Sequence, residues 1–294
     1  MFFPLPMDQD HQGFTPNVYI RSLRFLSSAL IKLLRLNGSN RFSNEFIQAL
    51  NPLTRATLPA PFVAELIFRT GHGRLFWRAK DSWDEEKLLL EWIDCMSKDD
   101  CFFDIGANVG NFAIYAASKG VETYAVEAEL LNASLLYENV FLNNLQDMCI
   151  VLPYCLGNEN KMDVFYLKDI SKGDALHSMG KPSHMLSEEA QKTIKTMLAP
   201  TFKLDDLIDI LNLKKPTHIK LDVDGNELQI VLGGIKTFES VKEIHIELDM
   251  SNKEHVEAFE LLEKLGFEMV NKESVDRAWN QTQSNYILRK KNAI

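Results

Sequence analysis

Cysteine is scarce in this chain, and the four present are poorly placed for a common metal site. Cys95 and Cys101, like Cys149 and Cys155, are separated by more than the roughly two to four residues usual between paired zinc ligands. Each lies in or beside an apolar run (Cys101-Phe-Phe-Asp104, Met148-Cys-Ile-Val-Leu152), so free buried thiols in a reducing compartment are expected. Long hydrophobic runs are also missing, none reaching the ~18 residues that a membrane span needs. No charged-then-apolar leader opens the sequence, because Pro4, Pro6, Asp8 and Asp10 interrupt it. A cytoplasmic location is the expectation. Basic residues are the minority, with 32 Lys and Arg against 41 Asp and Glu and a formal charge of −9. A surface of that sign repels phosphate backbones, which speaks against nucleic acid as a partner. Internal repeats and low-complexity tracts are lacking too.

What remains is the balance of an ordinary globular protein, with 46% apolar and 25% charged residues in 294. Residues 1–16 carry prolines without hydrophobic periodicity and read as a tail. Over 17–36, Arg21, Arg24, Lys32 and Arg35 fall on one helical face and Leu23, Leu26, Leu30, Leu33 and Leu34 on the opposite one. This helix is expected to pack its leucines on the body of the chain, and peripheral contact with an anionic membrane is the competing use. After the Gly38–Asn40 segment and Pro52, Pro59 and Pro61, a boundary is placed near residue 70. Residues 1–70 form a tail and helical extension, and 71–294 form the main domain.

Within that domain Ser82-Trp-Asp-Glu85 reads as a capping box opening a helix through about Met96. Strand-like runs follow at 101–105, 122–127, 148–152, 217–223, 243–248, 267–271 and 284–289. Helical patterns at 109–119, 130–143, 226–235 and 252–265 separate many of them. This alternation predicts an α/β fold, a doubly wound and mostly parallel sheet covered on both faces.

The sharpest motif is Cys101-Phe-Phe-Asp-Ile-Gly-Ala-Asn-Val-Gly-Asn-Phe112, an apolar strand running through a glycine turn into a helix. A pyrophosphate-binding turn would need glycine where Asn108 and Asn111 stand, so a dinucleotide is disfavoured. Asp104 can pair with a cationic amine, and the turn of Gly106, Asn108 and Gly110 can admit a small ligand without phosphates. The next strand ends in Glu127, whose carboxylate can receive both hydroxyls of a ribose. An amino-acid-bearing nucleoside, S-adenosylmethionine, satisfies all three features.

These residues resemble the FkbM-type methyltransferases. The resemblance covers roughly 75–290 and includes Asp-Ile-Gly-Ala-Asn-Val-Gly, Phe202-Lys-Leu-Asp-Asp-Leu207, Ile219-Lys-Leu-Asp-Val-Asp-Gly-Asn-Glu227 and Val231-Leu-Gly-Gly234. It implies a class I methyltransferase fold, Rossmann-like, with a seven-stranded sheet whose last strand is antiparallel. It also implies methylation of a hydroxyl on a small molecule or sugar. The family often has Glu where this chain has Asp224.

Two strands carry unexpectedly polar faces. Alternation puts His218, Lys220, Asp222 and Asp224 on one side of the first, and Glu243, His245, Glu247 and Asp249 on one side of the second. Strands of a sheet buried on both faces are normally apolar throughout, so these need a reason. One is structural, Lys220 pairing with Asp222 or Glu247. The other is catalytic, with Asp222, Lys220 and Glu247 handling the acceptor proton at the carboxyl ends of the strands. A metal-assisted variant would have Asp222, Asp224 and Asp249 hold Mg²⁺, and a catalytically silent binding module is a further alternative. The stretch Lys168–Lys192, which follows the strand-like Met162–Leu167, is expected to form a lid, in which His177 and His184 are candidate bases.

Overall fold

The computed structural model describes residues 53–71, 73–183, 186, 188–274 and 283–291. The basic helix expected over 17–36 and His184 lie outside these residues. Leu53–Ile294 makes one compact unit. Its first elements are β1 (Leu53–Arg55) and β2 (Ile67–Arg69), an antiparallel ribbon. Helix α1 (Gly73–Lys80) follows, and a 3-10 turn at Ser82–Glu85 leads into α2 (Lys87–Asp94). Ser82 is thus not the cap of one long helix. Its Oγ donates back to the Arg78 carbonyl at 2.8 Å, and Trp83 turns inward with its indole N–H on the Ala79 carbonyl. Complete burial of Trp83 among Phe68, Phe112 and Tyr115 outweighs another turn of helix.

Strand and helix then alternate through β3 (Cys101–Ile105), α3 (Asn111–Ser118), β4 (Glu122–Val126), α4 (Leu130–Leu142) and β5 (Cys149–Leu152). A second, smaller sheet interrupts the pattern. It is built from β6 (Cys155–Leu156), β7 (Lys161–Leu167) and β8 (Ser178–Met179), then, past the short α5 (Glu188–Gln191), β9 (Lys195–Phe202). The alternation resumes with α6 (Leu204–Leu211), β10 (His218–Leu221), α7 (Glu227–Gly233), α8 (Ile235–Ser240) and β11 (Glu243–Asp249). Helix α9 (Lys253–Lys264) and strands β12 (Phe267–Ser274) and β13 (Gln283–Lys290) complete it.

The seven-stranded sheet has the order β12-β13-β11-β10-β3-β4-β5. Strands β11, β10, β3, β4 and β5 run parallel, and β13 is antiparallel to both its neighbours. This is the class I methyltransferase arrangement, doubly wound and Rossmann-like, with the last strand reversed as expected. Alternation along β3 sends Phe102 into one apolar layer, with Trp83, Trp92 and Tyr115, and Phe103 into the other, with Leu204, Val231 and Phe238. Both faces are therefore covered, which is why the strands read as apolar runs. The chain leaves β3 toward β4 and β5 on one side and returns to β10 on the other. The crevice between the carboxyl ends of β3 and β10 is thus the switch point where open α/β sheets bind ligands. No helix of the described residues is long and apolar enough to cross a membrane.

Candidate active site

At the end of β3 the chain turns sharply over the crevice. Gly106 has φ 84°, and the amides of Gly106 and Ala107 both donate to the Val126 carbonyl, at 2.9 and 3.0 Å. A Cβ at Gly106 would stand 1.8 Å from the Asp222 carbonyl oxygen, so the turns after β3 and β10 meet backbone to backbone. Gly110 has φ 93°, with space for a Cβ taken by Leu136. Asn108 has φ 52°, a left-handed conformation that asparagine tolerates better than most residues. Its Nδ2 donates to the Asp174 carbonyl at 2.7 Å, while its Oδ1 is buried with no protein partner.

Glu127 lies just beyond β4. Its two oxygens accept the backbone amides of Asn108, at 2.7 Å, and Glu129, at 2.8 Å. Burial pushes the carboxyl up to about 7, against the opposing pull of those amides and of Arg78. Asp104, Gly106, Asn108, Gly110 and Glu127 all lie at the carboxyl ends of β3 and β4 or in the turn between β3 and α3.

The polar face of β10 meets β3 directly. Lys220 is opposite Asp104 in register, and its Nζ lies 3.3 Å from Asp104 and 3.2 Å from Asp222. Burial works to discharge this ammonium, but the two carboxylates outweigh it and hold its pKa above the ordinary lysine range. Lys220 therefore stays charged and acts by holding carboxylates, not by accepting a proton. Burial raises the Asp104 carboxyl despite Lys220. The pairing expected for Lys220 is thus made with Asp222, and also with Asp104, which the sequence reading had not linked to it. On β11, His245 is opposite Lys220 in register. Burial, with Lys220 adding to it, takes its pKa down to about 3, which leaves it neutral. Glu247 follows on the same face, buried and opposite Asn285 of β13.

The strand expected over 217–223 ends at Leu221 because the chain kinks. Asp224 adopts φ 61°, and its Oδ2 accepts the Leu176 amide at 2.7 Å. The turn is braced by Glu227, whose Oε1 accepts the amides of Val223 and Gly225 at 3.4 and 3.3 Å. Asp249 accepts the amide and hydroxyl of Ser251. Asp222, Asp224 and Asp249 are thus engaged separately, and among the described residues no three His, Cys, Asp or Glu side chains gather as a cation site.

Residues 168–177 form a strap across these turns. The Asp174 carbonyl receives both Asn108 and Asn132, the Gly173 amide donates to Asn132 Oδ1 at 2.6 Å, and Leu176 holds Asp224. Arg74 pairs with Asp174, and the Arg78 Nε donates to the Gly173 carbonyl at 2.9 Å. His177 lies in the strap, but its Nδ1 accepts the Lys168 amide at 3.2 Å and burial lowers its pKa to about 4. The neutral ring then carries its proton on Nε2, so that edge donates and is not a base. Sequence reasoning missed Arg74, Arg78, Asn132 and Asp174. One signal was available: an asparagine inside the apolar helix Leu130–Leu142 has to find a buried partner.

Comparison with known proteins places this geometry in a family. The chain is 24% identical over 204 residues to hexuronic acid methyltransferase AglP of Haloferax volcanii, covering 67% of this chain and 77% of that protein. It is 35% identical over 78 residues to a tRNA (guanine(37)-N(1))-methyltransferase of Leishmania major, covering 26% of this chain but only 11% of that one. The crystal structure of methyltransferase FkbM from Methylobacillus flagellatus superposes with a TM-score of 0.44 at 14% identity, over 66% of this chain and 44% of that one. The methyltransferase FkbM domain model matches residues 104–269, more than half of the chain and the whole span from Asp104 to Glu247. The chain belongs to the FkbM methyltransferase family.

Proposed function

We propose that this chain transfers a methyl group from S-adenosylmethionine to a hydroxyl of a small molecule, with a sugar as the first candidate acceptor. The observation that carries this reading is the Glu127 carboxylate, fixed by two backbone amides beside the left-handed turn of Gly106, Asn108 and Gly110. The residues suit that cofactor. Each Glu127 oxygen keeps a lone pair for a ribose hydroxyl, and the buried Asn108 Oδ1 is an acceptor without a protein donor. The cofactor supplies an activated methyl on a cationic sulfur, so no strongly anionic transition state needs stabilising.

The chain's own work is then positioning and the removal of one proton. Asp222 projects past the end of β10 with its side chain 39% exposed, and one of its oxygens is held by Lys220. In this reading Asp222 accepts the hydroxyl proton as the acceptor oxygen is methylated. Lys220 is a positioning residue that keeps Asp222 ionised and aimed. Glu247, one strand further along the polar face, orients a second acceptor hydroxyl. The name of the Haloferax relative, a hexuronic acid methyltransferase, supports a sugar acceptor.

Calorimetry tests the cofactor half: S-adenosylhomocysteine should bind in the micromolar range, roughly −8 kcal/mol, and NAD should not. Binding of NAD alone would overturn the reading. Release of S-adenosylhomocysteine against a panel of glycans, lipids, natural-product alcohols and tRNA tests the acceptor. Turnover on tRNA alone would replace the sugar, and cofactor binding without turnover on any acceptor class would favour a silent binding module.

A further inference from the structure

Helix α1 brings two arginines to the crevice at a spacing of one helical turn, Arg74 and Arg78. Arg74 is committed to Asp174, and Lys168 approaches the same carboxylate at 3.9 Å. Arg78 differs. Its Nε is used by the Gly173 carbonyl, and its guanidinium lies in the field of Glu127, Asp222 and Asp224. Each of those carboxylates already has another direct partner: Glu127 the amides of Asn108 and Glu129, Asp222 the ammonium of Lys220, Asp224 the amide of Leu176. Among the described residues the two terminal nitrogens of Arg78 have no protein acceptor. Burial lowers its pKa only to about 10, with Arg74 adding to the effect, so the fork remains charged at neutral pH.

A second unfilled donor lies in the strap that Arg78 holds. The Nε2–H of His177 is buried with no partner, and the ring sits in the field of Lys168, Arg74 and Arg78. A half-buried planar cation with free N–H groups matches a carboxylate, which it can grip by two parallel bonds. We infer that Arg78 receives a carboxylate of the bound ligand. Two sources share that chemistry: the amino-acid end of the cofactor and an acidic sugar as acceptor. The inference rests on the methyl-transfer reading above.

The test compares wild type, Arg78→Gln and Arg78→Lys by calorimetry, with thermal melts to confirm folding. The first pair of probes is S-adenosylhomocysteine and its decarboxylated analogue. If the cofactor is the source, wild type prefers the carboxylate form by about tenfold or more, and Arg78→Gln abolishes the preference. The second pair, methyl glucuronide and methyl glucoside, is titrated into protein loaded with S-adenosylhomocysteine. If the acceptor is the source, the same preference and loss appear there instead. Arg78→Lys keeps the charge without the fork and should retain part of the discrimination, which also serves if Arg78→Gln does not fold. Wild type that discriminates neither pair, or discrimination that survives undiminished in Arg78→Gln or Arg78→Lys, overturns the inference. Failure of wild type to bind S-adenosylhomocysteine at all overturns the methyl-transfer reading itself.

Discussion

Lys220 and Asp104 stand opposite each other on adjacent parallel strands, their side chains 5% and 1% exposed and their charges 3.3 Å apart. A charge so buried is tolerated only with its partner present. Lys220→Met should therefore destabilise the protein by about 3–5 kcal/mol in urea unfolding, because Asp104 is left uncompensated. Adding Asp104→Asn to Lys220→Met should recover part of that loss. A double variant whose loss equals the sum of the single losses would show that the two charges are not coupled.

Glu127 makes the site sensitive to pH. Its carboxyl is raised by burial from 4.5 to about 7, so between those values the folded protein binds more protons than the unfolded chain. Its contribution to stability is present in full below pH 4.5 and falls as pH rises through 7. Glu127→Gln should accordingly raise the melting temperature of ligand-free protein at pH 8 and leave it nearly unchanged at pH 4. The proposed ribose contact needs the ionised form, so wild-type affinity for S-adenosylhomocysteine should drop between pH 8 and 5.5. A Glu127→Gln protein that binds S-adenosylhomocysteine as tightly as wild type at pH 8 would remove Glu127 from the cofactor site.

Asp222→Asn keeps the shape of the side chain and removes its charge. Turnover should fall by about a hundredfold or more while S-adenosylhomocysteine affinity changes little. Unchanged turnover in folded protein would pass the proton to Glu247. EDTA is expected to leave wild-type activity intact. Activity lost to EDTA and restored by Mg²⁺ would instead make Asp222, Asp224 and Asp249 cation ligands.

Gly106→Ala should be severe. At φ 84° the new methyl would be strained, and it would meet the Asp222 carbonyl, so the turns after β3 and β10 would have to separate. We expect loss of S-adenosylhomocysteine binding together with a lower melting temperature. Gly180→Ala, also at positive φ but with open space around it, provides the control for backbone strain alone.

The inner strands β3, β4 and β5 were legible because each is a short apolar run bounded by turn residues, and the same pattern put Asp104, Gly106, Asn108, Gly110 and Glu127 at the ends of β3 and β4 and in the turn after β3, where the structure has them. The polar faces of β10 and β11 were legible too, since alternation fixes the side on which a residue projects. Alternation does not fix which strand lies next door, so Lys220 was matched to acids near it in sequence and on β11, and Asp104 on β3 was overlooked. The second sheet was read only at Met162–Leu167. Its partner β9 contains Pro200, which argues against a strand, and is tolerated where β9 is paired on one side only. The strap left little trace because it reaches the site through the carbonyls of Gly173 and Asp174 and the amide of Leu176, groups that every residue type carries.

The strap also bears on how this scaffold could be re-targeted. Loops between strands are the usual place to graft new specificity, because their length and sequence are loosely constrained. Here residues 168–177 clasp Asn108 in the first turn, Asn132 on α4 and Asp224 in the turn after β10. Replacing this loop to admit a new acceptor would therefore also loosen the glycine turn after β3. A graft that keeps Gly173, Asp174 and Leu176 in place and varies the chain beyond Ser178 would leave both turns clasped.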